Sequence, residues 1–202
     1  ITNPLDVIVM ALQKYSGFPK NKVIGMAGVL DTSRFKYFLS QELQVPISKV
    51  DSFVLGGHGD TMVPVPNRTT INGENLNDLM NQGKISKAKI EEIIDRTRKG
   101  GAEVVKLLET GSAFYGPAAS GIEMADSYLN DKKKVLPCAA YLDGEYDIKD
   151  LYVGVPVIIG SGGIEKVVEL NLDDEEQKHF QTSIEAVREL FDAAKNIDPS
   201  LI

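Results

Sequence analysis

Apolar residues recur at helical spacing near the start of the chain and mark one face of a predicted helix: Val7, Ile8, Ala11, Leu12 and Tyr15. Proline is favoured at the first position of a helix, so Pro4 places Asn3 as the predicted N-cap. Ser16 and Gly17 end the pattern. The sequence therefore predicts a first helix that begins beside Asn3.

The same spacing predicts further helices along the chain. Residues 23–28 predict a short buried strand or extended segment, and a helix opened by residues 31–35 follows it. Ser86 caps a long helix, in which Gly100-Gly101 predicts a bend or the close approach of another backbone. Asp173 and Glu176 have the spacing of a capping box, which predicts the start of a terminal helix. The apolar stripe predicted for that terminal helix is Phe180, Ile184, Val187 and Phe191.

Alternating and continuous apolar runs predict strands between these helices. Residues 50–55 form one strand, and Asn72-Gly73 is typical of the tight turn of a small hairpin. Residues 134–142, 150–159 and 166–170 predict three more strands joined by glycine-containing turns. We therefore expect an α+β fold in which long helices pack on short, largely antiparallel strands, and no boundary marks a second domain.

Composition narrows the class of protein. A chain of 202 residues with 43% hydrophobic and 25% charged residues suits one domain with a substantial core. A net charge of -7 argues against nucleic acid as a partner. No apolar run approaches about 18 residues, so no membrane partner is expected. The single cysteine, Cys138, cannot form a disulfide framework, which fits a cytoplasmic protein.

A histidine in a glycine-rich turn is the first candidate for chemistry. The run Gly-Gly-His-Gly-Asp at residues 56–60 follows the apolar residues 53–55, so a strand delivers His58 into an open turn. Histidine has an unperturbed pKa of about 6.5 and suits proton transfer near neutral pH. The alternative, a surface turn that happens to contain histidine, is equally open from this motif alone.

Three motifs in order give the turn its context: T-N-P-L-D at residues 2–6, G-x-L-D-x-x-R-F at residues 28–35, and G-G-H-G-D-x-M-V-P at residues 56–64. Together they resemble the catalytic half of the lactate/malate dehydrogenase family, and the resemblance extends over essentially the whole chain. It implies reversible hydride transfer between NAD and a 2-hydroxy acid. It also implies a homodimer or homotetramer.

The resemblance also implies a role for each matching residue. His58 is the catalytic acid and base, Asp31 is its carboxylate partner, Arg34 binds the substrate carboxylate, and Asn3 holds the reacting oxygen. Ile1, Asn3 and His58 are expected near the nicotinamide, and Ser112 and Ala113 are expected to line the substrate pocket. From spacing alone, Asn3 and Asp31 can equally be helix caps, and Arg34 an exposed partner of Asp31.

The resemblance also sets expectations for the whole enzyme. The family's Rossmann domain, which binds NAD, should precede Ile1, so residues 1–202 are expected to be the substrate-binding C-terminal domain and to be inactive alone. Gly57 stands where lactate dehydrogenases usually have glutamate, and residues 111–118 also resemble the malate-specific members. Both features favour malate and oxaloacetate over lactate and pyruvate as substrates.

Two alternatives come from other functional classes. A metal-dependent hydrolase would use His58, Asp60 and Asp31 as ligands and would need further ligands at comparable positions. A non-catalytic oligomerisation module would use the amphipathic helices. The module leaves the grouping of Asn3, Asp31, Arg34 and His58 unexplained.

Overall fold

The computed structural model describes residues 3–201, which form a mixed α+β fold. The helices are α1 (Leu5–Ser16), α2 (Ala27–Glu42), α3 (Leu76–Asn81), α4 (Lys87–Leu108), α5 (Tyr115–Leu129) and α6 (Asp174–Ile197). The strands are β1 (Val50–Asp51), β2 (Val54–Leu55), β3 (Val63–Pro64), β4 (Thr70–Ile71), β5 (Glu74–Asn75), β6 (Lys134–Asp143), β7 (Lys149–Gly160) and β8 (Gly163–Val167). Every strand pair is antiparallel within the described residues, which confirms the predicted fold class.

The largest sheet has the order β6-β7-β8 and lies at the centre of the main hydrophobic core. Residues 151–157 of β7 are all buried, because helices α1, α2, α5 and α6 pack against this strand. Burial on both faces explains why β7 reads as a continuous apolar run rather than an alternating one. A second core lies between α2, α3, α4 and the small sheet β1-β4-β5.

Local sequence signals account for several element boundaries as predicted. The Ser86 side chain accepts the Lys89 amide at the start of α4. Asp173 and Glu176 form a complete capping box at the start of α6. Asn72 and Gly73 adopt φ angles of 54° and 84° between β4 and β5, which confirms the predicted hairpin.

The predicted first helix needs correction at its start and on its buried face. It begins at Leu5, and Pro4 occupies the N-cap position without a side-chain cap, so Asn3 is not the N-cap. Leu12 and Tyr15 are exposed, because packing of α1 against β7 and α6 turns a different face inward. The buried residues of α1 are Leu5, Asp6, Val7, Val9 and Met10.

The start of the second helix was also predicted wrongly. The segment predicted as a strand makes only an isolated bridge, in which the amide and carbonyl of Gly25 both bond to Ala139. Helix α2 then begins at Ala27, four residues earlier than Asp31. Asp31 therefore lies inside the helix and is not its cap.

The predicted strand at residues 50–55 is divided between two sheets, as β1 and β2. At the end of β2, Gly56 forms a bridge with Gly154 of β7, with N–O distances of 2.8 and 3.1 Å. A Cβ atom on Gly154 would lie 2.3 Å from the Gly56 carbonyl oxygen. This close approach of two backbones joins the histidine turn to the central strand and is possible only without a side chain at residue 154.

We predict that Gly154→Ala destabilises the fold by about 1–3 kcal/mol, because the clash forces a backbone shift in a packed core. Gly121→Ala is the matched control, since Gly121 lies in α5 and a Cβ atom there meets nothing within 4 Å. The control should be neutral or stabilising by about 0.5–1 kcal/mol. Urea denaturation of both variants measures the difference, and equal midpoints would contradict the prediction.

Candidate active site

The turn at residues 56–60 is fixed by contacts with the sheet and with α6. Besides the Gly56–Gly154 bridge, the Gly57 amide donates to the Ser183 hydroxyl at 2.9 Å. A Cβ atom on Gly57 would lie 2.6 Å from Cγ2 of Val187, so the turn packs closely on α6. These contacts hold the two backbone positions immediately before the histidine, which argues against a loose surface turn.

The His58 ring forms a close pair with a carboxylate of α2. Nδ1 of His58 lies 2.7 Å from Oδ2 of Asp31, and the side chains are 14% and 2% exposed. A carboxylate only accepts hydrogen bonds, so Nδ1 carries the donated proton. Nε2 is then the ring atom left to exchange a proton with a substrate.

The charges around His58 favour the protonated ring. Burial lowers the His58 pKa, but the Asp31 hydrogen bond and the charges of Asp31 and Asp6 outweigh burial and the opposing charge of Arg34. The net effect is a pKa raised above the ordinary value of 6.5. His58 therefore holds its proton more firmly than an unperturbed histidine side chain does.

Arg34 lies one helical turn beyond Asp31 and continues the polar cluster. Its Nη1 is 3.3 Å from Oδ1 of Asp31, and its side chain is 16% exposed. The side chain lies against α4 at Gly100, where an added Cβ atom would come within 3.0 Å of Cδ. Helix α4 continues through Gly100 and Gly101, and the close neighbour predicted for this glycine pair is the Arg34 side chain, not a backbone.

Asp6 is a site residue that the sequence analysis did not single out. Its Oδ2 accepts the His58 amide at 2.9 Å, whereas its Oδ1 has no hydrogen-bond partner among the described residues. Burial raises the pKa of Asp6 to about 6, although the His58 amide and charge act to lower it. Asp6 is the last residue of the first motif, residues 2–6. Its place in that motif is the sequence feature that could have identified it as a site residue.

A cavity of about 150 Å³ lies beside Asp6 and His58. Its walls come from α1, the histidine turn and α6, and the lining residues are Pro4, Leu5, Asp6, Val7, Gly57, His58, Asp60, Thr61, Ala186, Val187 and Leu190. The carboxylate of Asp6 and the ring of His58 thus meet one partly apolar space.

The remaining predicted site residues are less closely tied to this cluster. Asn3 is exposed beside Pro4 at the edge of the cavity, and Ile1 lies outside the described residues. Ser112 and Ala113 lie between α4 and α5 and do not line the cavity beside His58. Within residues 3–201, no three His, Cys, Asp or Glu side chains are arranged to hold a metal ion, so the hydrolase alternative lacks the ligand set that it required.

Fold and site together define an α+β domain that presents a carboxylate–histidine pair with an arginine alongside. Residues 28–197 match the family described as lactate/malate dehydrogenase, alpha/beta C-terminal domain. The chain belongs to the lactate/malate dehydrogenase family.

Individual relatives agree with this assignment. A malate dehydrogenase of Pelagibacter ubique (strain HTCC1062) is 60% identical over 201 residues, which cover 100% of this chain and 63% of the relative. The malate dehydrogenase structure from Cryptosporidium parvum has a TM-score of 0.94 at 51% identity and covers 96% of this chain and 62% of that one. The lactate dehydrogenase of Cryptosporidium parvum, solved with lactic acid and nicotinamide adenine dinucleotide, has a TM-score of 0.95 at 46% identity, with coverages of 97% and 62%.

We predict that Asp31→Asn lowers the pKa of His58, because the variant loses the charge and the strongest hydrogen bond that favour the protonated ring. The shift should be about one unit or more, as expected for a charged partner in direct contact. Titration of the His58 ring resonances by NMR measures it, with His179 as the internal control. An unchanged His58 pKa would show that the 2.7 Å contact does not hold the proton.

Proposed function

We propose that this chain, residues 1–202, is the substrate-binding C-terminal domain of an NAD-dependent malate dehydrogenase. The reaction is the reversible oxidation of (S)-malate to oxaloacetate. The observation that carries the proposal is the His58–Asp31 pair with Arg34 on the same carboxylate, on a chain that is 60% identical to a malate dehydrogenase. The chain spans 63% of that relative's length, and we assign the Rossmann domain that binds NAD to the part of the protein outside residues 1–202.

The chemistry of the site fits a nicotinamide cofactor. The imidazole–carboxylate pair can move a proton but no electrons, so reduction of a keto acid needs a separate hydride source. Bound NADH supplies that hydride to the carbonyl carbon, and NAD accepts it in the reverse direction. In this chain we expect Asn3, Ile1 and His58 to contact the nicotinamide end of the cofactor.

His58 is the proton donor for the carbonyl oxygen in the reduction. Its Nδ1 hydrogen stays on the ring and is donated to Asp31, so the proton leaves from Nε2 and converts the developing alkoxide into the hydroxyl of malate. Asp31 stabilises the imidazolium and fixes the ring tautomer. In malate oxidation the neutral ring takes the proton back. Asn3 would hold the same oxygen during transfer.

Arg34 is the residue that we propose to bind the substrate carboxylate. Its contact with Asp31 uses Nη1, which leaves other guanidinium donors for a planar carboxylate. The buried carboxylate of Asp31 therefore orients both His58, the proposed acid and base, and Arg34, the proposed carboxylate-binding residue. Ser112 and Ala113 remain our candidates for the far wall of the substrate pocket, in the segment between α4 and α5.

The choice of malate over lactate is supported by the turn before His58. Gly57 has no room for a side chain, because a Cβ atom there would meet Val187 at 2.6 Å. Lactate dehydrogenases usually have glutamate at this position, so the turn suits the malate-specific pattern. We also propose a cytoplasmic enzyme that acts in the tricarboxylic acid cycle. Within residues 3–201, no helix is both long and apolar enough to cross a membrane.

A homodimer or homotetramer is our proposal for the assembly. Large apolar side chains of α4 and α5 are strongly exposed in this chain, notably Leu107, Ile122 and Leu129 at 78%, 68% and 75%. We propose that these exposed apolar side chains contact another subunit in the assembly. An oligomerisation module without catalysis would use the same helices but leaves the His58–Asp31–Arg34 cluster without a role.

The full-length enzyme should reduce oxaloacetate with NADH at least about a hundredfold more efficiently than pyruvate in kcat/KM, or roughly 2.7 kcal/mol.

His58→Asn should lower kcat by about 10²–10⁴-fold, because the variant has no group to deliver the proton. Parallel assays with both keto acids measure both effects, and His179→Asn is the matched control. Preference for pyruvate would identify a lactate dehydrogenase, whereas a His58→Asn variant with turnover within tenfold of wild type would remove His58 from the mechanism.

Gly100→Ala should raise the KM for oxaloacetate about tenfold, or roughly 1.4 kcal/mol, because the new methyl group displaces Arg34. Its Cβ atom would lie 3.0 Å from Cδ and 3.4 Å from Nε of Arg34. Gly101→Ala is the control, since its Cβ atom would lie at an ordinary 3.7 Å from Nη2. Both changes raise helix propensity equally, by about 1 kcal/mol, so this effect cancels in the comparison. Equal KM values would show that Arg34 does not depend on the space at Gly100.

A further inference from the structure

Asp6 makes one contact that the proposed reaction does not use. Its carboxylate accepts the backbone amide of His58 across 52 residues of sequence, at 2.9 Å. The side chain is buried, and Oδ1 has no hydrogen-bond partner within residues 3–201. Leaving a carboxylate oxygen buried and unpartnered costs stability. A neutral amide side chain could accept the same backbone hydrogen bond through its oxygen, so what the carboxylate adds is its negative charge.

Asp31 makes the largest contribution that favours protonated His58, and apart from Asp31 and Asp6 the surroundings of the ring supply little negative charge. Helix α2 brings Asp31 and Arg34 to the ring, and these two side chains are themselves paired. Helix α6 contributes only the apolar residues Ala186, Val187 and Leu190 to the shared cavity. The turn itself carries Asp60, which is exposed to solvent. Asp6 on α1 is therefore the second buried carboxylate that faces the histidine.

We propose that Asp6 is a positioning residue for His58, which fixes the backbone of the turn and shares with Asp31 the stabilisation of the protonated imidazole. The proposal rests on the proposed function and deepens it. In this proposal the two carboxylates have different roles. Asp31 orients the ring and holds its Nδ1 hydrogen, whereas Asp6 acts through the His58 backbone and through its field. The low-dielectric space between them makes a charge at Asp6 effective without direct contact with the ring.

The test separates the charge of Asp6 from its hydrogen bond. Asp6→Asn keeps an oxygen that can accept the His58 amide and removes the charge, whereas Asp6→Ala removes both. In the full-length enzyme, we expect Asp6→Asn to lower the His58 pKa by about half a unit, which is less than the shift expected when the directly bonded Asp31 loses its charge. The alkaline fall in kcat/KM for oxaloacetate should move to lower pH by the same amount, since the reduction needs protonated His58. The kcat/KM below this fall should stay within about threefold of wild type.

Asp60→Asn is the matched control, because it removes a carboxylate from the same turn but from an exposed position. It should leave both the His58 titration and the pH profile unchanged. Asp6→Ala should lower kcat/KM at every pH by about tenfold or more, because the His58 amide loses its acceptor. Equal His58 pKa values in wild type and Asp6→Asn would overturn the proposal, as would an equal shift in Asp60→Asn.

The NMR titration of His58 does not depend on turnover, so it tests Asp6 even if the proposed reaction is wrong. Conversely, a shifted His58 titration in an enzyme that ignores oxaloacetate would support Asp6 and overturn the proposed function. If Asp6→Asn fails to fold, the measurement moves to the wild-type carboxyl carbon of Asp6. A step in the Asp6 carboxyl shift at the pH where His58 titrates supports a charge on Asp6 that acts on His58, and a titration curve without that step overturns the proposal.

Discussion

The position of the histidine depends on a contact between two backbones. Gly56 and Gly154 exchange hydrogen bonds at a separation that leaves no space for a Cβ atom on Gly154. This bridge joins the end of a two-residue strand to β7, the central strand of the largest sheet. Because α1, α2 and α6 all pack on that strand, the bridge fixes the turn relative to the three helices that surround His58. A short strand alone could not hold a catalytic side chain to within a fraction of an ångström.

Elements with local causes were predictable from the sequence, and elements with tertiary causes were not. The Asp173–Glu176 capping box and the Asn72-Gly73 turn follow from nearby chemistry, and both were confirmed. The start of α2 was wrong because it depends on the pairing of Gly25 with Ala139, which lies more than a hundred residues away. The buried face of α1 was wrong for the same reason, since the partners that select the face lie late in the sequence.

The same distinction between local and tertiary causes applies to the residues of the candidate site. His58 could be singled out from its turn, but Asp31 and Arg34 gained roles only from the motif, because spacing alone allowed a cap and a surface pair. The structure brings Asp31 within 2.7 Å of His58, which no local pattern encodes. Asp6 carried even less signal, since a carboxylate on an amphipathic helix normally faces solvent. Its burial follows from the packing of α1 beneath the histidine turn.

The balance of charges around His58 gives Arg34 two separable effects. In the proposed function its guanidinium binds a substrate carboxylate, and its charge also lowers the pKa of His58. Asp31 and Asp6 act in the opposite direction, so the proton affinity of the ring is a difference between opposing contributions. Loss of Arg34 would weaken substrate binding and at the same time make His58 harder to deprotonate. A substrate carboxylate bound at Arg34 would offset the arginine's charge and so raise the His58 pKa, which favours the protonated ring just when a keto acid arrives to be reduced.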